Sequence, residues 1–198
     1  MKVGYAVLYT DGILVISKNH TILQKKIIKN YGEFEDTSVP WKDEYYQIKK
    51  VQILDQVESN CMKEWFEHCI NLITLIDFKN LDVSNCTNFS CMFNNCKSLQ
   101  DLNGLQTWNV SNGTDFSKMF AICKSLQNIN ELQNWNVSNG KDFSYMFALC
   151  ESLHTVLESN TLSILRKEMF YKCNPILKIH WKNHIYTYAD LLEYQTIS

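Results

Sequence analysis

The residues of this chain that could do chemistry are its eight cysteines and five histidines, and their spacing sorts them quickly. Cys69, Cys96, Cys123, Cys150 and Cys173 each stand three residues after an aromatic, at Phe66, Phe93, Phe120, Phe147 and Phe170. One residue type at one slot in successive copies predicts a ladder of small buried side chains, because an unreactive thiol packs as a small hydrophobe. Nucleophilic work would need a thiol beside a base. His68 precedes Cys69 but points elsewhere if that stretch is helical. Cys86, Cys91 and Cys96 are spaced evenly by five, unlike the paired cysteines of a structural zinc knuckle. His180 and His184 form an H-x3-H pair without a second ligand pair at a suitable distance, and Cys61 stands alone. No glycine-rich phosphate loop is present. The chain is therefore expected to carry no metal, no cofactor and no catalytic site, with a thiol- or metal-dependent enzyme as the weaker alternative. Replacing Cys123 by Ser is expected to cost about 1–3 kcal/mol, since the hydroxyl has no assured partner.

What positions these residues is a repeat. FSCMFNNCKSLQDLNGLQTWNVSN at 89–112 is restated as FSKMFAICKSLQNINELQNWNVSN at 116–139, and begins again as FSYMFALCESL at 143–153. Phe93, Phe120 and Phe147 are 27 residues apart; a weaker copy precedes them and a shortened one, around Phe170 and Cys173, follows. Self-similarity at this period predicts a solenoid, in which each copy buries its apolar face only against its neighbours. Enzymes are seldom built in this way, whereas binding surfaces often are. Within a copy, Phe116, Met119, Phe120 and Cys123 have the i, i+3, i+4, i+7 spacing of a helix face. The run at 125–129 predicts a short strand, which would place Leu99, Leu126 and Leu153 in register on a parallel sheet. Trp108 and Trp135 are expected in the core, and the N-x-S/T triplets at Asn85, Asn88, Asn109, Asn112 and Asn136 are by-products of the repeated turn.

The flanks lack the period. Residues 3–17 predict a hairpin turning at Thr10-Asp11-Gly12. Ile22, Leu23, Ile27 and Ile28 suggest a helix over 20–31, with Gly32 as its stop. Residues 48–57 predict a strand. Residues 178–181 and 185–192 predict two more around Lys-Asn, closing an edge that would otherwise invite association. The expected organisation is an N-terminal cap at 1–57, the repeats at 58–174 and a C-terminal cap at 175–198.

Bulk composition excludes several functions. At 198 residues, 45% hydrophobic and 20% charged, the chain can form one domain with a full core. A net charge of −2 draws it neither to nucleic acid nor to an anionic membrane, and the Lys25-Lys26-Lys29 cluster is satisfied as a solvated face. No segment has the roughly 18 apolar residues of a membrane span. The first residues lack the apolar block of a secretory signal, so a cytoplasmic location is expected.

The copies resemble the BspA-like bacterial surface-protein family. That resemblance rests on WNVSN at 108–112 and 135–139, on MF at 92–93, 119–120 and 146–147, and on CKSL at 96–99 and 123–126. It implies an α/β leucine-rich-repeat solenoid of about five coils, with short helices, short parallel strands and a cap at each end. It also implies a protein-binding role, and the missing leader weakens the adhesin role best known in that family. Residues that differ from copy to copy at the outer strand positions are the expected contacts: Ile73 and Thr74, Gln100 and Asp101, Gln127 and Asn128, His154 and Thr155. Tyr186 and Tyr188 are added as interface aromatics at the C-terminal end, where Tyr171, Trp181 and Tyr194 also gather. Such a strand face would span only about 300 Å² in projection, so a tight partner must also touch turns or caps. The expected partner is a protein or nucleoprotein complex whose surface the chain occupies. Inhibition of a host defence nuclease by a phage or mobile-element product, of the anti-CRISPR type, is one alternative, and an adhesin-like surface protein is another.

Overall fold

The computed structural model describes residues 1–154, 167–181 and 184–193. Strands β1 (Lys2–Tyr9) and β2 (Ile13–Ser17) form the expected antiparallel hairpin, and Gly12 takes φ +81° in its turn. β3 (Ile27–Glu35) runs antiparallel on the other side of β1. β4 (Lys50–Ile53) joins β2 in parallel, and β6 (Thr74–Ile76) joins β4 in parallel. The result is a mixed five-stranded sheet in the order β3-β1-β2-β4-β6. β5 (Val57–Glu58) and β7 (Leu81–Asp82) make a short parallel pair. β8 (Lys178–Trp181) and β9 (His184–Thr187) make a hairpin, which runs into α1 (Tyr188–Glu193), the one α-helix among the described residues.

This is not the expected α/β leucine-rich-repeat solenoid. The secondary structure is mixed sheets and short 3-10 turns, and among the described residues neither an α-helix nor a row of repeat strands forms within 82–154. The backbone supplies the reason. Lys118 and Ile122 hold left-handed φ values of 55° and 62°, which end any helix across 116–123. The N–H groups of Met119, Ala121 and Cys123 close tight turns onto Phe116, Lys118 and Phe120. The alternate donors, Lys118, Phe120 and Ile122, reach the carbonyls of Ser144, Met146 and Ala148 in the next copy, at 2.7–2.9 Å. Every backbone donor of the segment is satisfied without a helix. The apolar spacing that reads as a helix face fits consecutive turns equally well. Leu99, Leu126 and Leu153 are buried, but on irregular backbone, so the strand face inferred from sequence is not built.

Two flank readings also change. Over 20–31 a helix does not form: Ile22, Ile27 and Ile28 are 48%, 36% and 39% exposed, so their spacing marks no buried stripe. From Ile27 the chain is instead strand β3, whose Tyr31 and Phe34 rings pack edge-on against Trp41. Gly32 stops no helix; its φ of +69° lies beside a register shift against β1. The second C-terminal strand ends at Thr187, because Asp190 accepts hydrogen bonds from the Thr187 N–H and hydroxyl (2.6 and 2.7 Å) and starts α1.

The sequence period survives as side-chain columns. Phe66, Phe93, Phe120, Phe147 and Phe170 stack at centroid distances of 5.4–5.5 Å, with Trp41 6.0 Å from Phe66 at the head of the column. Phe89, Phe116 and Phe143 form a second column at 5.1–5.2 Å. Phe78, Trp108 and Trp135 form a third at 6.1–6.2 Å. Trp108 and Trp135 are buried as expected, and their indole N–H groups donate to the carbonyls of Phe78 and Leu105.

Candidate docking surfaces

All eight cysteines are free thiols. The five of the ladder are buried beside the Phe66–Phe170 column. Four have a partner that sequence reasoning missed. The thiols of Cys96, Cys123, Cys150 and Cys173 donate to the carbonyls of Phe66, Phe93, Phe120 and Phe147, at 2.9–3.3 Å. Burial pushes the thiols of Cys69, Cys96, Cys123 and Cys150 well above their ordinary range, and that of Cys173 up to about 12. A thiolate is the nucleophile, so these groups are inert at neutral pH. Cys86 is also raised by burial to about 12, and its thiol donates to the Asn88 carbonyl at 3.3 Å. Cys91 is half-buried, with its pKa raised mainly by burial.

The histidines do not join the thiols. His68 is exposed at φ 65°, with Nδ1 2.8 Å from Asn95 Nδ2, while Cys69 is buried behind it. The side chains of His180 and His184 lie outside the described residues. Among the described residues no cluster of three His, Cys, Asp or Glu side chains could hold a metal ion. Cys61 lines a shallow depression with Lys42 and Lys63, whose ammonium groups lie 3.6 and 3.4 Å from the Glu64 carboxylate.

The contact residues expected from sequence fall along a line. Ile73 donates from its backbone N–H to Lys49, Gln100 to Ile73, and His154 to Gln127, so these positions succeed one another across the copies. Ile73, Gln100, Gln127 and His154 are exposed; Thr74, Asp101 and Asn128 are half-buried. Asp101 and Asn128 use Oδ1 to accept the N–H two residues on, at 3.1 and 3.4 Å, which shapes the turns at Asn103 and Asn130. Thr155 lies outside the described residues. Tyr186 and Tyr188 rest half-buried against the core, and the Tyr188 hydroxyl accepts the Lys172 N–H at 3.0 Å.

A second surface escaped the sequence reading, because a helix would have pointed its residues elsewhere. The left-handed positions on either side of the inner Phe residues recur in register, and their side chains are half-buried or exposed. One row is Glu64, Cys91, Lys118 and Tyr145; another is His68, Asn95, Ile122, Leu149 and Lys172. Toward the N-terminal copies this surface is polar and paired: His68 meets Asn95 within the second row, and beside it Asn94 Nδ2 donates to Glu67 at 2.8 Å. Toward the C-terminal copies the rows carry Ile122, Tyr145 and Leu149 with Lys118 and Lys172, and Tyr171 lies beside them: Tyr145 and Tyr171 are 40% and 43% exposed, with ring centroids 6.0 Å apart at 86°. The detectable signal was the identity of these residues, which changes at every copy while Phe and Cys beside them do not.

Ring columns whose central steps are 27 residues, tied by thiol-to-carbonyl bonds, define a protein whose sequence repeat governs its interior. The chain belongs to the family described as "Mycoplasma protein of unknown function, DUF285", whose family model matches residues 60–180. No curated protein and no solved structure matches the chain.

Proposed function

We propose that the protein works without catalysis, as a binding scaffold that occupies the surface of a larger protein or nucleoprotein. The observation that carries this reading is the contrast between a constant frame and a changing surface. Phe and Cys recur at the same interior slots, while the outward slots run Glu64, Cys91, Lys118, Tyr145 in one row and His68, Asn95, Ile122, Leu149, Lys172 in the next. Turns pinned by bonds between copies lose little freedom on association, so side-chain identity is left to choose the partner. The BspA-like wording of the copies fits the family membership and supports a binding role.

The test is site-specific photo-crosslinking with the full chain in a lysate of the source cells. A photoreactive residue at Gln100 reports on the first surface and one at Tyr145 on the second. A discrete protein crosslinked from either position is the expected result. A defence nuclease would identify an inhibitor, and envelope or matrix proteins an adhesin. Turnover of a small molecule by the purified chain, with no crosslinked protein from either position, would overturn the reading.

A further inference from the structure

Resting on that binding role, we infer that the C-terminal half of the outward-facing rows is the docking site, and that it takes a short acidic segment carrying apolar side chains. The floor is Ile122, Tyr145, Leu149 and Tyr171, brought together because the Ile122 N–H bonds Ala148 and the Leu149 N–H bonds Tyr171, at 2.7 and 2.8 Å. Ile122 and Leu149 are half-buried, and the two tyrosines expose large rings at right angles to each other. Apolar and aromatic groups gathered in this way on a surface mark an interaction site.

Lys118 and Lys172 flank the floor, both exposed. Neither is ion-paired among the described residues, and the Lys172 ammonium sits 5.2 Å above the Tyr171 ring. Of the neighbouring carboxylates, Glu151 is tied to Lys124 at 2.7 Å. The other half of the rows differs in kind, because Glu67, His68, Asn94 and Asn95 engage one another. Two unpaired cations bordering an apolar floor complement carboxylates on either side of an apolar anchor. The floor covers about two column steps of 5.4–5.5 Å, the reach of three or four extended residues at about 3.3 Å each. It is sized for a segment rather than for a globular face.

The probe is a random copolymer of glutamate and tyrosine, set beside polyglutamate and a copolymer of lysine and tyrosine, with the full chain and fluorescence or calorimetric titration. The glutamate–tyrosine polymer should bind tightest and weaken as salt is raised. Lys118→Glu with Lys172→Glu should lower its affinity roughly tenfold or more, while Lys→Arg at both positions keeps it. Tyr171→Ser should also weaken it. Far-UV circular dichroism and the thermal midpoint establish that each variant folds. Equal binding of the three polymers, preference for the lysine copolymer, or indifference to these substitutions would overturn the site. So would self-association of the wild-type chain that the same substitutions abolish, since the occupant would then be a second copy. A partner crosslinked as above but indifferent to Lys118 and Lys172 would leave the binding role standing and remove this site alone.

Discussion

The Cys123 thiol donates to the Phe93 carbonyl, 30 residues earlier in the chain, over 3.3 Å. The same bond recurs between Cys96 and Phe66, Cys150 and Phe120, and Cys173 and Phe147. A residue that packs as a small hydrophobe also gives a second donor to a buried carbonyl that already closes a backbone turn, as Phe93 does with the Cys96 N–H at 3.1 Å.

That bond reverses the expectation for substitution. Ser keeps a donor facing Phe93, so Cys123→Ser should cost under about 1 kcal/mol. Cys123→Ala leaves the Phe93 carbonyl with only its turn bond to the Cys96 N–H and opens a small void, and should cost about 1–3 kcal/mol. Urea unfolding of the two variants, compared with wild type, separates them; equal losses would remove the hydrogen bond from the account.

The buried thiols make stability fall in alkali. Their folded-state pKa values are raised, so the folded chain keeps its thiol protons after the unfolded chain has lost them. Stability is full below the ordinary thiol value of 9.0 and declines from there toward about 12 for Cys86 and Cys173. Each such thiol steepens the decline by up to about 1.4 kcal/mol per pH unit. Chemical denaturation from pH 7 to 11 should trace this loss, and Cys86→Ala should make it shallower. At pH 7.5 a thiol reagent should label Cys61 before any cysteine of the ladder.

Ile122 is a β-branched residue held at φ 62°, a conformation that such side chains seldom adopt. Asn occupies the matching slot of the preceding copy, at Asn95, with φ 64°. Ile122→Asn should therefore raise stability by about 0.5–1 kcal/mol, read as an increase in the denaturation midpoint. The same variant should weaken the glutamate–tyrosine polymer, setting stability against binding at one position.

Gly113 and Gly140 are fixed by contact. A Cβ at these positions would fall 2.3 Å from Cζ of Phe116 and 2.2 Å from Cζ of Phe143, inside the second ring column. Gly113→Ala should cost about 1–3 kcal/mol by overpacking. Gly32→Ala meets nothing within 4 Å and should cost only the roughly 1 kcal/mol that its positive φ implies. Thermal unfolding of the two variants tests the distinction.

Periodicity located the buried residues well and the backbone that carries them poorly. Phe93, Cys123 and Trp135 lie where spacing put them, because burial follows the side chain whatever the local conformation. Lys118 and Ile122 could not be read as left-handed, since nothing in either side chain asks for it; the demand comes from donors that must reach Ser144 and Ala148. The exposed line through Ile73, Gln100, Gln127 and His154 was legible because each of them follows the buried Leu of its copy. The Tyr145–Tyr171 surface was not, because it depends on left-handed backbone at Tyr145 and Leu149 and on the Leu149 N–H bond to Tyr171.

In the donor pattern Phe93 to Met119 and Phe120 to Met146, each link joins like to like one full copy further on. Excising a whole 27-residue unit would re-pair every severed donor with an acceptor of the same kind. Dropping a single residue from 116–123 would mismatch the links of that copy to both of its neighbours. Such a gene can shorten or lengthen in whole units far more gently than it can tolerate a frame-preserving slip of one codon.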